Sequence, residues 1–183
     1  MKKNKIISIA KQVVNLEIKA LENLKKNINN SFIEAVLQIA KCQSKVILCG
    51  VGKSGIIASK IAATLSSVGT PSFFLSAGDS SHGDLGSISK KDILILISYS
   101  GQTSELKNII RYANRNKIFL IGIVSKKDSI LYKASDIKLL VPQVKEAEDI
   151  VPTSSTISQL AIGDSLAIAV MNIKKFGKFN TYY

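Results

Sequence analysis

Five short apolar runs separated by helical patterns constrain the fold of this 183-residue chain more than any other feature. Each run has four to six residues. The runs are 46–49, 72–75, 93–97, 119–124 and 137–141. Continuous apolar runs between helices are typical of parallel strands that are covered by helices on both faces. The pattern therefore predicts an α/β fold with a doubly wound parallel sheet.

Two helical patterns precede the first run, over about residues 5–27 and 30–42, and Ser31 is the predicted cap of the second. Nothing in residues 1–43 can cover their apolar faces, so we expect them to pack on the later sheet or on another subunit. The last long pattern, about 154–176, predicts a mostly buried helix. We therefore expect a single domain, with N-terminal helices over 1–43 and an α/β core over 44–183.

Charge and composition limit the classes of partner that this chain is expected to bind. The formal net charge is +12, but the excess is mostly scattered lysine with few arginines and no basic-aromatic block, which argues against a nucleic-acid partner. Such charge would still steer an anionic metabolite. No apolar run reaches the ~18 to 20 residues of a membrane span, and the basic start is not followed by an export signal. We expect a cytoplasmic protein with no membrane partner and with reduced cysteines at 42 and 49.

A hydroxyl-rich turn, residues 98–105, follows the third apolar run and precedes a helical pattern. The hydroxyls of Ser98, Ser100 and Thr103, with the turn amides, would lie at the positive end of a helix and suit a phosphate monoester. Glu105, expected one turn into that helix, is a candidate base. The alternative is an ordinary helix start, with Ser100 or Thr103 as the cap and Glu105 serving the helix dipole.

A glycine turn, residues 50–55, follows the first run and has the spacing of a dinucleotide-binding fingerprint. That alternative needs an acidic residue at the end of the second strand, and Asp79 comes a few residues too late. A Walker P-loop is excluded because the four-residue spacer is missing. We interpret Lys53 as a cation presented to a substrate oxygen or phosphate; the alternative is an exposed lysine at a turn.

Two further loops carry candidate groups. His82, the single histidine, follows the second run and could act as acid, base or substrate anchor, or be a surface or capping residue. After the fifth run, Glu146 or Glu148 could be a second catalytic carboxylate or part of an acidic loop. The hydroxyl cluster 153–156 is predicted to cap the last helix.

Taken in order, four motifs resemble the sugar isomerase (SIS) domain family, and within it most closely the arabinose 5-phosphate isomerases. The motifs are Gly-x-Gly-Lys-Ser-Gly from residue 50, His-Gly-Asp-Leu-Gly from 82, Ser-x-Ser-Gly-x-Thr-x-Glu from 98 and Pro-Thr-Ser-Ser-Thr from 152. The resemblance implies a flavodoxin-like five-stranded sheet and a homo-oligomer, tetramer or dimer, with sites at subunit interfaces. It also implies interconversion of D-ribulose 5-phosphate and D-arabinose 5-phosphate, a step toward the lipopolysaccharide sugar Kdo.

The resemblance also assigns site residues. The catalytic set it implies is Lys53, His82, Glu105 and Glu146. The set it implies for binding the sugar phosphate is Gly52, Ser54, Ser98, Ser100, Gln102, Thr103, Ser154 and Ser155. Moving a carbonyl between C1 and C2 needs a base that shuttles a proton through an enediol and donors that stabilise the oxyanion. We therefore expect neither a metal nor another cofactor.

The chain also departs from the family pattern. Family members continue into Ser-His-Pro-Gly-Gly, whose histidine is thought to contribute to the site, and most then carry a pair of CBS modules. This sequence ends at Tyr183, so we expect a single SIS domain without the CBS pair. The segment between Glu146 and Pro152 is also shorter than usual. The alternative function is a non-catalytic module that binds a sugar phosphate or a nucleotide sugar.

Overall fold

The computed structural model describes residues 3–78, 80 and 83–175, and its centre is a five-stranded parallel sheet. The strands are β1 (Val46–Gly50), β2 (Ser72–Ser76), β3 (Ile93–Ile97), β4 (Phe119–Val124) and β5 (Ile137–Leu140). Their order is β2-β1-β3-β4-β5, with every neighbouring pair parallel. The predicted α/β class, strand number and parallel sheet are confirmed.

Helices cover both faces of this sheet. They are α1 (Lys3–Asn27), α2 (Asn30–Lys41), α3 (Lys53–Ser67), α4 (Leu106–Asn116), α5 (Ile130–Ala134) and α6 (Ser154–Ile173), with a 3-10 helix at Asp84–Ser87. Residues 46, 48, 93 and 95 of the strands pack with α2, α3 and α6 on one face. Their neighbours 47, 49, 94 and 96 pack with α4 and α5 on the other. This alternation is why the runs are continuously apolar.

The N-terminal helices α1 and α2 both pack on α6. In α1 the buried residues are Ala20 and Leu24, in its second half. The cap of α2 is Asn29, whose side chain accepts a hydrogen bond from Ser31 N at 2.9 Å. The prediction that Ser31 caps α2 is therefore wrong, because Ser31 already lies inside the first turn.

The long helix α6 is apolar enough, and long enough, to cross a membrane by length and composition alone. It packs instead against α1, α2 and α3. Its buried residues include Ile162, Leu166 and Val170, which belong to the same core as β1 and β3. We therefore interpret α6 as a core helix, as its sequence pattern predicts.

The sheet has its switch point between β1 and β3. From β1 the chain passes through α3 on one face, whereas from β3 it passes through α4 on the other. The register pairs Gly50 with Ile97, so the turn after β1 and the loop after β3 begin at the same level. Ligands of open α/β sheets bind in the crevice that such a divergence opens.

Candidate functional site

Close packing explains Gly55, and a positive φ explains Gly52, in the turn after β1. A Cβ atom placed on Gly55 would lie 2.8 Å from the Gly50 carbonyl oxygen. Gly52 has a φ of +58°, which favours glycine, and it precedes α3 as its N-cap. The turn thereby lets α3 begin directly beside the end of β1. Lys53 opens the helix with an exposed side chain, and Ser54 follows it half-buried.

The loop after β3, residues 98–105, is held together by its own hydroxyls. Ser98 is buried, and its Oγ lies 2.7 Å from Thr103 Oγ1 and accepts a hydrogen bond from Gly101 N at 3.0 Å. Ser100 Oγ accepts from Gln102 N at 3.2 Å, which leaves its own O–H free to donate. Neither Ser100 nor Thr103 is the N-cap of α4, so that part of the alternative is wrong, whereas Glu105 does lie at the start of the helix.

Glu105 is the N-cap residue of α4 and makes no side-chain capping bond. The prediction that it lies one turn inside the helix is wrong, because α4 begins at Leu106. Its carboxylate is exposed and accepts a hydrogen bond from Ser104 Oγ at 2.7 Å. This bond, with one from its own backbone N–H, lowers the pKa of Glu105 below its ordinary value. Glu105 therefore carries an ionised carboxylate into the crevice.

Glu146 caps α6 from outside the helix. Its Oε2 accepts hydrogen bonds from Thr153 N at 2.9 Å and from Ser155 N at 3.3 Å. Burial alone would raise the pKa of Glu146, but the hydrogen bonds from Ser155 and from backbone amides outweigh it and lower the pKa. Thr153 itself makes no capping bond. The N-cap residue of α6 does lie in the predicted hydroxyl cluster 153–156, but the Glu146 carboxylate, and not a hydroxyl of the cluster, accepts the hydrogen bonds of the amides at the start of the helix.

Two neighbouring clefts meet at Val51, which lines both. The larger, about 720 Å³, is lined by Gly52, Glu105, the side of α3 and the end of β2. The smaller, about 390 Å³, is lined by Lys53, Ser54, Tyr99, Glu146, Val51, Pro152, Ser155 and Thr156. The fold thus brings residues of three loops and two helix starts to one edge of the sheet.

Several residues assigned by the family resemblance line neither cleft: Ser98, Ser100, Gln102, Thr103 and Ser154. Three of them, Ser100, Gln102 and Thr103, lie in the chain between Tyr99, which lines the smaller cleft, and Glu105, which lines the larger. His82 and Asp79 lie outside the described residues. In the part of the chain that is described, no three His, Cys, Asp or Glu side chains are grouped as a metal site would need.

Two residues at this edge of the sheet were not predicted from the sequence as site residues. Tyr99 lines the smaller cleft, and its hydroxyl accepts a hydrogen bond from Val144 N at 2.8 Å, so it ties the loop after β3 to the segment that leads to Glu146. Gln159 is fully buried in α6, and its Oε1 accepts from Ser54 Oγ at 3.1 Å. A glutamine among the apolar positions of α6 was the available signal.

Comparison with known proteins agrees with this architecture. Residues 38–169 match the SIS domain. The chain is 44% identical over 168 residues to the arabinose 5-phosphate isomerase KdsD of Yersinia pestis, covering 91% of this chain and 51% of the relative. It is 42% identical over 177 residues to KdsD of Francisella tularensis, covering 94% and 54%. The chain therefore spans about half the length of these curated relatives.

A solved structure extends the comparison to three dimensions. A protein of Escherichia coli CFT073, determined in complex with arabinose 5-phosphate, superposes with a TM-score of 0.94 at 36% identity. The match covers 99% of this chain and 97% of that one. The family match spans more than half of the chain. This chain belongs to the SIS domain family.

Proposed function

We propose that this chain is a sugar-phosphate isomerase domain that interconverts D-ribulose 5-phosphate and D-arabinose 5-phosphate through an enediol. The observation that carries the proposal is the loop 98–105, where ordered hydroxyls and amides end in the ionised carboxylate of Glu105 at the switch point of the sheet. Relatives at 42% and 44% identity bear the name arabinose 5-phosphate isomerase, and a structural neighbour holds arabinose 5-phosphate.

The phosphate end is assigned to the loop after β3. Ser100 can donate its O–H to a phosphate oxygen while its Oγ accepts from Gln102 N. Thr103 and Ser98 share a hydrogen bond that fixes the shape of the loop. Ser98 thus acts by organising the loop, and the donor assigned to the phosphate is the Ser100 hydroxyl.

The proton transfer is assigned to Glu105. Its Oε2 is engaged by Ser104, whereas Glu146 holds two backbone amides of α6 and is thereby committed to the helix. In the proposed reaction, Glu105 takes the proton from C2 of the aldose and the C1 carbonyl becomes an enediolate. Lys53 stabilises the oxyanion. Transfer of the O2 proton to O1 and return of a proton from the Glu105 carboxyl group to C1 then give the ketose.

A homo-oligomer belongs to the proposal. The first half of α1 exposes large apolar side chains, among them Ile6, Ile7 and Val14, each with more than half of its surface exposed. Ile56 of α3, which lines the larger cleft, is 71% exposed. Clusters of exposed apolar residues mark protein interfaces. We assign these faces to contacts between copies of the chain.

The metabolic role is also part of the proposal. The product D-arabinose 5-phosphate would supply the synthesis of Kdo and lipopolysaccharide.

The test combines turnover with loop variants. Purified chain with D-arabinose 5-phosphate should form D-ribulose 5-phosphate, measured by a discontinuous ketose assay. Replacement Ser100→Ala should raise KM about ten-fold because one charge-assisted hydrogen bond is lost. Thr103→Ala should lower activity by loosening the loop, whereas Thr103→Ser keeps the bond to Ser98 and should act like the wild type.

Three outcomes separate the possibilities. Turnover with the expected loop effects supports the isomerase. Binding of D-arabinose 5-phosphate without turnover, seen as a thermal shift, favours the non-catalytic binding module instead. Turnover that is unaffected by Ser100→Ala and Thr103→Ala would leave the reaction standing and refute the assignment of the phosphate to this loop.

A further inference from the structure

The start of α6 buries an unusual amount of polar surface. Ser154, Ser155, Ser158 and Gln159 are at most 3% exposed, although the rest of the buried face of α6 is largely apolar. The burial of the Ser158 side chain has a local explanation, because its hydroxyl donates a hydrogen bond to the Ser154 carbonyl oxygen of the preceding turn at 2.8 Å. Gln159 has no such local explanation.

The Gln159 side chain reaches across to the start of α3. Its Oε1 accepts the hydroxyl hydrogen of Ser54 at 3.1 Å, over a separation of 105 residues in sequence. Its Nε2 has no hydrogen-bond partner among the described residues. A buried amide with one end unpartnered costs stability, and a methionine of similar length would cost less. Stability therefore does not account for a glutamine here, and such exceptions are expected at functional sites.

The hydrogen bond between Ser54 and Gln159 determines whether the Ser54 hydroxyl can act as a donor or as an acceptor in the smaller cleft. A hydroxyl has a single hydrogen, and that of Ser54 is directed to Gln159. Ser54 lines the cleft beside Lys53 and Glu146, and with its hydrogen directed to Gln159 its oxygen has only lone pairs to offer a ligand there. Lone pairs repel a phosphate oxygen but accept a hydrogen bond from a sugar hydroxyl. This arrangement argues against the expectation that Ser54 binds phosphate.

We propose that Gln159 is a positioning residue that holds the Ser54 hydroxyl as an acceptor for a hydroxyl group of the sugar. The inference rests on the proposed function, because it concerns how the same site recognises the sugar end of the substrate. Gln159 does not touch substrate in this account; it acts through Ser54. The pair thereby adds to the preference of the site for a polyhydroxylated phosphate over inorganic phosphate.

The test is a double-mutant cycle with Gln159→Met and Ser54→Ala. Gln159→Met should raise KM for D-arabinose 5-phosphate about five-fold, the loss of one neutral hydrogen bond, and change kcat less than about two-fold. Inhibition by inorganic phosphate should not weaken, because phosphate does not use the acceptor. The double variant should have the KM of Ser54→Ala alone. Ser158→Ala is the matched control on the same helix and should leave KM unchanged.

The outcomes are distinguishable. An equal rise in KM from Gln159→Met in the wild type and in the Ser54→Ala background would overturn the inference, because Gln159 would then not act through Ser54. Weaker inhibition by phosphate in Gln159→Met would also overturn it. If Gln159→Met lowers Tm, the same measurements are repeated with Gln159→Leu. A wild-type chain that neither binds nor converts the sugar phosphate refutes the proposed function, and the inference with it, whereas turnover with an unchanged KM refutes the inference alone.

Discussion

At the scale of the residue, the two carboxylates of the edge have different environments although both have lowered pKa values. Glu146 is half-buried and bound to the amides of α6, and Glu105 is exposed with one hydroxyl donor. Sequence spacing identified both as candidates. Spacing could not separate them, because the hydrogen bond between Glu146 and Thr153 depends on how the six residues between them fold back.

The pH profile follows from the lowered pKa of Glu105. A base must be ionised in the enzyme–substrate complex, so kcat at saturating substrate falls only as the pH drops through its pKa, which lies below the ordinary value of 4.5. We predict nearly constant kcat at saturating substrate between pH 7.5 and about 5.5, measured with Tm followed at each pH. A loss of activity centred near pH 6.5 would instead point to a histidine-like group as the essential base.

Tyr99 links two parts of the site through its hydroxyl. Tyr99→Phe keeps the ring that lines the smaller cleft but leaves Val144 N without its acceptor. We predict a fall in kcat/KM of about three- to ten-fold, because the segment that leads to Glu146 is held less firmly. Tyr112→Phe, a half-buried tyrosine of α4, is the control and should retain wild-type kinetics. Equal kinetics for the two variants would rule out this role of Tyr99.

At the scale of the element, the central strands β1, β3 and β4 were predictable because they are buried on both faces and so read as unbroken apolar runs. The edge strands β2 and β5 are partly half-buried, and their runs include Ser72 and Lys138. The five-residue helix α5 was missed because one turn and a half carries no periodicity. The cap of α2 was misplaced by two residues, from Asn29 to Ser31, because both residue types cap helices and their spacing does not separate them. The hydrogen bond between Ser54 and Gln159 could not be predicted from the sequence, since it depends on how α3 and α6 pack against each other.

The contact between β1 and α3 can be tested at its glycines. Gly55→Ala places a Cβ 2.8 Å from the Gly50 carbonyl oxygen, where backbone would have to move. We predict a loss of about 2 kcal/mol or more in the free energy of unfolding, measured in urea. Gly86→Ala has nothing within 4 Å of the new Cβ and should change stability by less than about 0.5 kcal/mol. Similar stability of both variants would mean that the close approach is not required.

At the scale of the whole molecule, α1 extends an apolar face that its own chain does not cover. Only Ala20 and Leu24 of this helix are buried, and the sequence predicted that such a face would need the sheet or another subunit. Its second half meets α6, and its first half is left for a partner copy in the proposed assembly. The site is then expected to depend on assembly, because exposed Ile56 lies at the edge of the larger cleft.

The assembly can be tested by light scattering. The double replacement Ile7→Glu and Val14→Glu should lower the molar mass toward that of one chain, because two charges would be buried in the contact. Asn4→Glu with Asn15→Glu adds the same charge to the same helix at exposed polar positions and should leave the mass unchanged. A wild-type mass of one chain would contradict the proposed oligomer.

The most direct test of the central claim follows D-arabinose 5-phosphate in D₂O with the wild type and with Glu105→Gln. The account predicts conversion to D-ribulose 5-phosphate with deuterium incorporated at C1, because the enediol is reprotonated there by an exchanging carboxyl group. It also predicts a fall in kcat of about 100-fold or more in Glu105→Gln, the usual contribution of a general base, with binding retained. Wild-type binding without conversion, or an unchanged rate in Glu105→Gln, would contradict it.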